Sequence, residues 1–256
     1  MSWTQFFISF VPSILVTLAL LTAERRSGLS QGEAWRNLQS WALQSGAAIA
    51  FLAYFTLPTR WSMIDGSRLP LWLGLTIFIV VRDLGEYIFH RAQHRIPFLW
   101  AMHSLHHSDP EMRALTAQRH FWGDQLVKNL TIWPATFLVI SPTGPVLILF
   151  GLVTLWNFVV HSGLEIEFGR WSWILNSPLY HRRHHSVDPE HFNSNFAALF
   201  PIFDVICGSY HRPDGFPQTG LAQKPDNLAE MIVWPLIWDN PGYLRDLFGK
   251  LKVEPH

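Results

Sequence analysis

Eight of the thirteen histidines stand in three short groups: His90-x-x-x-His94, His103-x-x-His106-His107 and His181-x-x-His184-His185. On a helix, positions i, i+3 and i+4 share one face. Each group can therefore present several imidazole nitrogens toward one point. Neutral imidazole is a ligand for zinc, iron, copper or nickel. A lone histidine is most often an ordinary surface or core residue. Three groups at helical spacing are hard to assign to packing, because buried imidazoles need partners. Eight histidines also exceed what a single ion takes: a structural zinc uses four protein ligands and a catalytic zinc three. The count points to two metals.

The flanking residues define the elements that must carry these groups. Both HxxHH groups run into an Asp-Pro pair, Asp109-Pro110 and Asp188-Pro189. The residue before proline is pushed out of the helical region, so each ligand helix is expected to stop just past its last histidine. Asn176-Ser177-Pro178 supplies a cap and a favoured first helical residue for the third group. Metal-bound imidazoles usually give their other N–H to a carboxylate or carbonyl. The nearby acids are Asp83, Glu86, Asp109, Asp188 and Asp204.

Only 15% of the 256 residues are charged against 49% apolar, with 13 Trp and 19 Phe. Such a mix predicts a chain partly dissolved in lipid. Residues 1–23 and 37–59 are long enough to span, and 69–90 reaches span length by running through Arg82, Asp83 and Glu86. Residues 3–22 read as a retained span, a cleaved signal peptide being the lesser alternative. Residues 129–164 are broken by Ser141-Pro142-Thr143-Gly144-Pro145 and predict a helical hairpin. With the N-terminus outside, parity returns both histidine blocks to the cytoplasmic side. The segments Trp171–Leu175 and Trp234–Trp238 read as interfacial anchors, and Arg91, Arg95, Arg113, Arg119, Arg182 and Arg183 as a surface for an acidic partner or lipid headgroups. The net charge is zero, so nothing suggests nucleic acid, and the single cysteine, Cys207, excludes a disulfide framework or a cysteine-ligated cluster built within the chain.

With its three histidine groups, Asp83-x-x-x-Tyr87-x-x-His90-Arg91, Phe98-Leu99-Trp100-x-x-His103, and Asn195-Phe196 leading to Phe203-Asp204-x-x-x-Gly208-Ser209-Tyr210, the chain resembles the fatty acid hydroxylase/sterol desaturase superfamily. The similarity runs over about residues 70–212 of what reads as one domain, 1–256. It implies an all-α integral-membrane fold: about four spanning helices, the last two a hairpin, under a cytoplasmic helical cap holding a histidine-rich dimetal site. It also implies two iron ions, O2 as co-substrate, an external reductase or electron carrier, and a membrane lipid (fatty acyl, ether lipid or sterol-like) that is hydroxylated or desaturated.

The resemblance adds His161 as a ligand, because the family carries a histidine before its last motif. Asn157, one turn earlier, becomes a possible neighbour of the metals. Asp83, Glu86, His120, Asp188, His191 and Asp204 are the remaining residues expected to support the ligands, while His211 and His256 read as ordinary. A bacterial inner membrane, with the site facing the cytoplasm, is the expected location. Two rivals remain open at this point: a membrane metal transporter, and a zinc-dependent lipid hydrolase.

Overall fold

The structure, a computed structural model, describes residues 3–26, 28–54 and 61–238. Two long helices, α1 (Trp3–Arg26) and α2 (Gln31–Tyr54), lead into a short strand, β1 (Ile64–Asp65). The ligand-bearing core follows: α3 (Leu71–Gln93), α4 (Pro97–His107), α5 (Trp122–Val139), strand β2 (Ile140–Ser141), α6 (Gly144–Val153), α7 (Trp156–Val160) and α8 (Pro178–His184). Three short helices complete the described chain: α9 (Ile202–Cys207), α10 (Leu228–Ile232) and α11 (Trp234–Ile237). The expectation of an all-helical architecture is met apart from β1 and β2, which pair in parallel through Ile64–Ile140 and Asp65–Ser141.

The expectation of spanning helices is overturned. Among the described residues no helix is long and apolar enough to cross a membrane. The helices that form overlap the expected apolar runs only in part and carry charges the fold uses. Helix α3 carries Arg82, Asp83, Glu86 and Arg91. Helix α2 opens on Gln31, Glu33, Arg36 and Asn37, and α5 holds Asp124 and Lys128 with Pro134 inside it. The described part of α1 runs into Glu24, whose carboxylate accepts the N–H groups of Ala114 (2.6 Å) and Leu115 (3.3 Å). Residues 1–2 of the first expected span and 55–59 of the second lie outside the described residues, as does His256. The parity argument for a cytoplasmic site lapses with the spans. The turn expected at 141–145 does separate α5 from α6, but α6 has only 10 residues and leans chiefly on α3, where Val146 and Phe78 are fully buried together with Ile140.

Both ligand helices stop where the Asp-Pro pairs require. Helix α4 starts with Pro97 in its first turn and is capped by Ser108. Helix α8 starts with Pro178 after Ser177, whose Oγ accepts the Tyr180 N–H at 3.2 Å, and is capped by His185. Behind α4, away from the histidines, Met102 and Leu105 pack on Phe121, Trp234 and Ile237. Trp234 is fully buried and donates its Nε1–H to Ser104 Oγ at 2.9 Å. The 234–238 segment is thus the rear support of α4, not an interfacial anchor. Trp171 and Trp173 are exposed, at 53% and 43%.

Helices α3 and α5 meet closely at Gly85, where a Cβ would stand 2.7 Å from the Ile132 Cγ2 methyl. This approach brings Lys128 of α5 alongside Glu86 of α3. The two helices together wall the space in front of the histidines.

Candidate metal centre

The nine histidines expected as ligands come together, and they divide into two groups. His90, His94, His103, His107 and His184 form one, and His106, His161, His181 and His185 form the other, with the donor atoms of each group within 4.8 Å of one another. The division follows helical spacing. Each i, i+4 pair (90/94, 103/107, 181/185) serves a single group, while the i+3 residue of each HxxHH turns to the other. The groups touch: the rings of His107 and His185 stack at 4.2 Å.

Four of the rings are held by backbone carbonyls. Nδ1 of His90 lies 2.7 Å from Phe196 O, that of His106 3.2 Å from Arg119 O, that of His161 2.7 Å from Asn157 O, and that of His184 2.8 Å from Ser194 O. A ring that donates from Nδ1 carries its lone pair on Nε2. The Nε2 atoms of His106 and His161, both of this kind, face each other at 3.1 Å. Neither can donate to the other, so the pair repels unless a cation lies between. Protonating a ring is the other escape, and burial opposes it: His161 is pushed down to about 3, and His106 well below its ordinary value.

Close approaches recur in both groups, but His103 and His181, whose Nδ1 atoms have no partner, can donate from Nε2 and so carry no such conflict. His161 and His181 face through Nε2 at 3.0 Å, as do His90 and His103. The Nε2 atoms of His94, His107, His184 and His185 are buried without any partner. Spacings of 3.0–3.1 Å suit neighbouring nitrogens on one ion with metal–nitrogen bonds of ~2.1 Å. The residues fit two metal ions.

The supporting carbonyls are aimed by an unusual loop. Asn193 and Asn195 both take the left-handed conformation, with φ of 58° and 59°. This conformation is uncommon outside glycine, and Asn adopts it more readily than most residues. They flank Ser194, and Phe196 follows, so the two strained residues set the carbonyls that hold His184 and His90. Asp204 fixes the far side. Its buried carboxylate accepts Phe196 N–H (2.9 Å), Ala197 N–H (2.8 Å), Ser209 O–H (2.7 Å) and the Tyr180 hydroxyl. Asp204 therefore supports the ligands through a carbonyl rather than by touching them.

The other expected supports fall in different places. Asp83 accepts the N–H groups of Leu199 (2.9 Å) and Phe200 (2.8 Å), and burial raises its carboxyl to about 7. Glu86 pairs with Arg82 at 2.8 Å and Lys128 at 3.6 Å. Asn157 acts on His161 through its backbone oxygen and is among the residues lining the cavity described below. His120 stacks on His106 at 4.3 Å and sits 3.4 Å from Asp124, a residue the sequence reading missed although it stands four positions on. Asp188 only caps a turn, accepting Glu190 N–H at 3.0 Å, and His191 bonds Ser186 Oγ at 2.9 Å. Asp109 is likewise engaged elsewhere, with Asn37 and Thr116.

Three of the six basic residues expected to form a surface are engaged within the fold. Arg119 is buried against Glu33 at 2.7 Å, Arg182 gives Nε–H to Pro217 O at 2.8 Å, and Arg183 pairs with Asp214.

Six histidines (90, 103, 106, 120, 161 and 181) open onto a cavity of about 350 Å³. Trp133, Phe150, Val153 and Trp156 form much of its apolar wall, and Arg82, Glu86, Gln125 and Lys128 its polar corner. Metal ions facing this space would meet a half-open cleft of mixed polarity.

The buried rings also set a pH response. Unfolded, each takes a proton near pH 6.5. Folded, His161 and His184 resist protonation down to about 3 and about 4, through burial. Between those limits the unfolded chain binds more protons, so stability falls as pH falls through that window. Metal-free protein is expected to lose more than about 5 °C of melting temperature between pH 7 and pH 5. A thermal-shift series after chelation checks this, and a flat profile would show that the rings are not buried neutral.

The fatty acid hydroxylase family profile matches residues 75–209, more than half of the chain. The chain belongs to the fatty acid hydroxylase family. It is similar to alkylglycerol monooxygenase of Xenopus tropicalis, 31% identical over 69% of this chain and 41% of that protein. It also resembles the ornithine lipid hydroxylase of Rhizobium tropici, 27% identical over 65% of this chain and 47% of that protein. The Delta(7)-sterol 5(6)-desaturase of Schizosaccharomyces pombe matches at 26% identity over 56% of this chain and 42% of that protein. The chain thus spans less than half the length of these relatives. No solved structure matches it.

Proposed function

We propose that this chain is an oxidoreductase that uses O2 to hydroxylate or desaturate a C–H bond of a lipid at two iron ions. His90, His94, His103, His107 and His184 hold one ion, and His106, His161, His181 and His185 hold the other. The observation that carries this reading is the lone-pair conflict between His106 and His161 at 3.1 Å, inside two histidine groups that open onto one cavity. A zinc hydrolase would leave one group idle, and a transporter would not need an apolar-walled cleft beside the metals. The relatives' names (monooxygenase, hydroxylase, desaturase) point to the same chemistry.

Bound iron would supply reductive activation of oxygen and removal of hydrogen from an unactivated carbon. The chain's own residues do the rest. The carbonyls of Phe196, Arg119, Asn157 and Ser194 fix the ring tautomers, so that every one of those four imidazoles turns Nε2 inward. Trp133, Phe150, Val153 and Trp156 exclude water and hold an apolar segment of the substrate against the histidines.

Electrons come from a separate reductase or small carrier, since one cysteine cannot build a ferredoxin-type centre. The lipid is supplied by a membrane with which the protein associates. Val80, Leu84 and Ile88 form an exposed apolar stripe at i, i+4, i+8 along α3, suited to contact with acyl chains.

Comparative lipid mass spectrometry of cells with and without the gene, grown under isotopically labelled oxygen, tests the reading. A lipid gaining one labelled oxygen means hydroxylation, and one losing two hydrogens means desaturation. A lipid profile indifferent to the gene, from cells in which the protein is iron-loaded, contradicts it.

A further inference from the structure

The cavity has one feature that metal binding does not use. Arg82 is 6% exposed, and its Nε and Nη1 are buried with no hydrogen-bond partner. Its Nη2 alone is engaged, with Glu86 at 2.8 Å, and one face of the guanidinium lies 4.9 Å from the Trp133 ring. A buried guanidinium with two idle donor nitrogens is costly unless something completes it.

Its surroundings say what that is. Lys128 stands 3.6 Å from the same Glu86, so two cations share one carboxylate. The neighbouring Asp83 redresses the balance only in part: two backbone N–H groups occupy its carboxyl, which burial raises to about 7. The corner is short of negative charge. It lies in the same cleft as His90, His106 and His161. At about 350 Å³ the cleft sits near the lower end of ligand pockets, roughly 300–1,000 Å³. It accommodates a polar group and the carbons next to it, with a longer tail passing out.

Resting on the lipid-oxidation reading above, we infer that Arg82, assisted by Lys128, binds an anionic oxygen group, a phosphate or a carboxylate, on the lipid whose carbon is oxidised. Arg82 is thereby a specificity-determining residue. It selects lipids with an anion close to the reacting carbon and disfavours neutral ones, which would leave its idle nitrogens dry.

Calorimetric titration of the iron-loaded protein with dodecyl phosphate, dodecanoate, dodecanol and inorganic phosphate tests this. The two charged amphiphiles are expected to bind at least ~10-fold tighter than dodecanol, and dodecyl phosphate far tighter than inorganic phosphate. Arg82→Gln is expected to weaken the charged amphiphiles by ~10–100-fold and to leave dodecanol unchanged. Should Arg82→Gln fail to fold, Lys128→Gln is expected to weaken the same two ligands by a few-fold (~3-fold), again sparing dodecanol. Equal binding of dodecanol, an undiminished charge preference in both variants, or inorganic phosphate binding as tightly as dodecyl phosphate overturns the inference. None of these outcomes touches the labelled-oxygen result, so the two readings fail separately.

Discussion

His161→Ala is expected to remove one metal ion per chain and more than ~100-fold of the activity, while the second ion stays. Even changes to groups that only orient a ligand cost ~10–100-fold in metal affinity or activity, and this change deletes a ligand outright. His161 belongs to the smaller group, which falls to His106, His181 and His185 without it. Its Nε2 also faces two others, at 3.1 Å and 3.0 Å, so its loss opens that group at the centre. The five-histidine group shares no ligand atom with it and should keep its ion. His184→Ala gives the useful contrast. It leaves four histidines in the larger group and should cost less metal, although His184 comes from the same short helix as His181. Elemental analysis of both variants beside the parent separates the cases. Equal metal content in His161→Ala and the parent would refute the assignment of His161.

Asp204→Ala is expected to be the most destabilising substitution near the site. Four donors converge on this fully buried carboxylate: Phe196 N–H, Ala197 N–H, the Ser209 hydroxyl and the Tyr180 hydroxyl. Each donor left dry costs ~1–3 kcal/mol, and not all can find other partners. A loss of ~3–5 kcal/mol follows, or on the order of 10 °C in melting temperature. The effect should also reach the metals, because Phe196 O holds Nδ1 of His90. Metal affinity of the five-histidine group should fall more than that of the other. Asp204→Asn keeps one acceptor oxygen and should be milder. Thermal unfolding of the two variants decides, and a parent-like melting temperature for Asp204→Ala would mean that these bonds contribute little.

Much of the metal centre was legible because helical spacing is a local property. His103-x-x-His106-His107 and His181-x-x-His184-His185 define their faces without reference to the rest of the chain, and the Asp-Pro pairs do place the ends of α4 and α8. What spacing could not show is that i+4 partners stay together while the i+3 histidine crosses to the other group. That depends on how α3, α4 and α8 are set against one another. The orienting partners were misread for a related reason. Acids are visible in a sequence and carbonyls are not, yet the carbonyls of residues 119, 157, 194 and 196 do the holding. Asn193 and Asn195 were the signal available, since asparagine in a loop tolerates left-handed backbone.

The error over spanning helices has its own cause. The apolar run of α3 reaches span length only by passing through Arg82, Asp83 and Glu86, and the run that includes most of α5 begins just past Lys128. In the fold those charges line the cleft in front of the histidines. Likewise, Trp234 resembled an anchor by composition but is the buried rear support of α4. Tryptophan-rich segments read alike in a sequence whether they face lipid or a helix.

Metal analysis of protein purified without oxygen, paired with a spectroscopic test for coupling between the ions, examines the two-metal centre most directly. Two iron ions per chain with mutual magnetic interaction is the expected result, given that His107 and His185 stack across the boundary between the groups. A single zinc ion per chain, or iron bound with the His106–His161 pair still facing each other unligated, would contradict it.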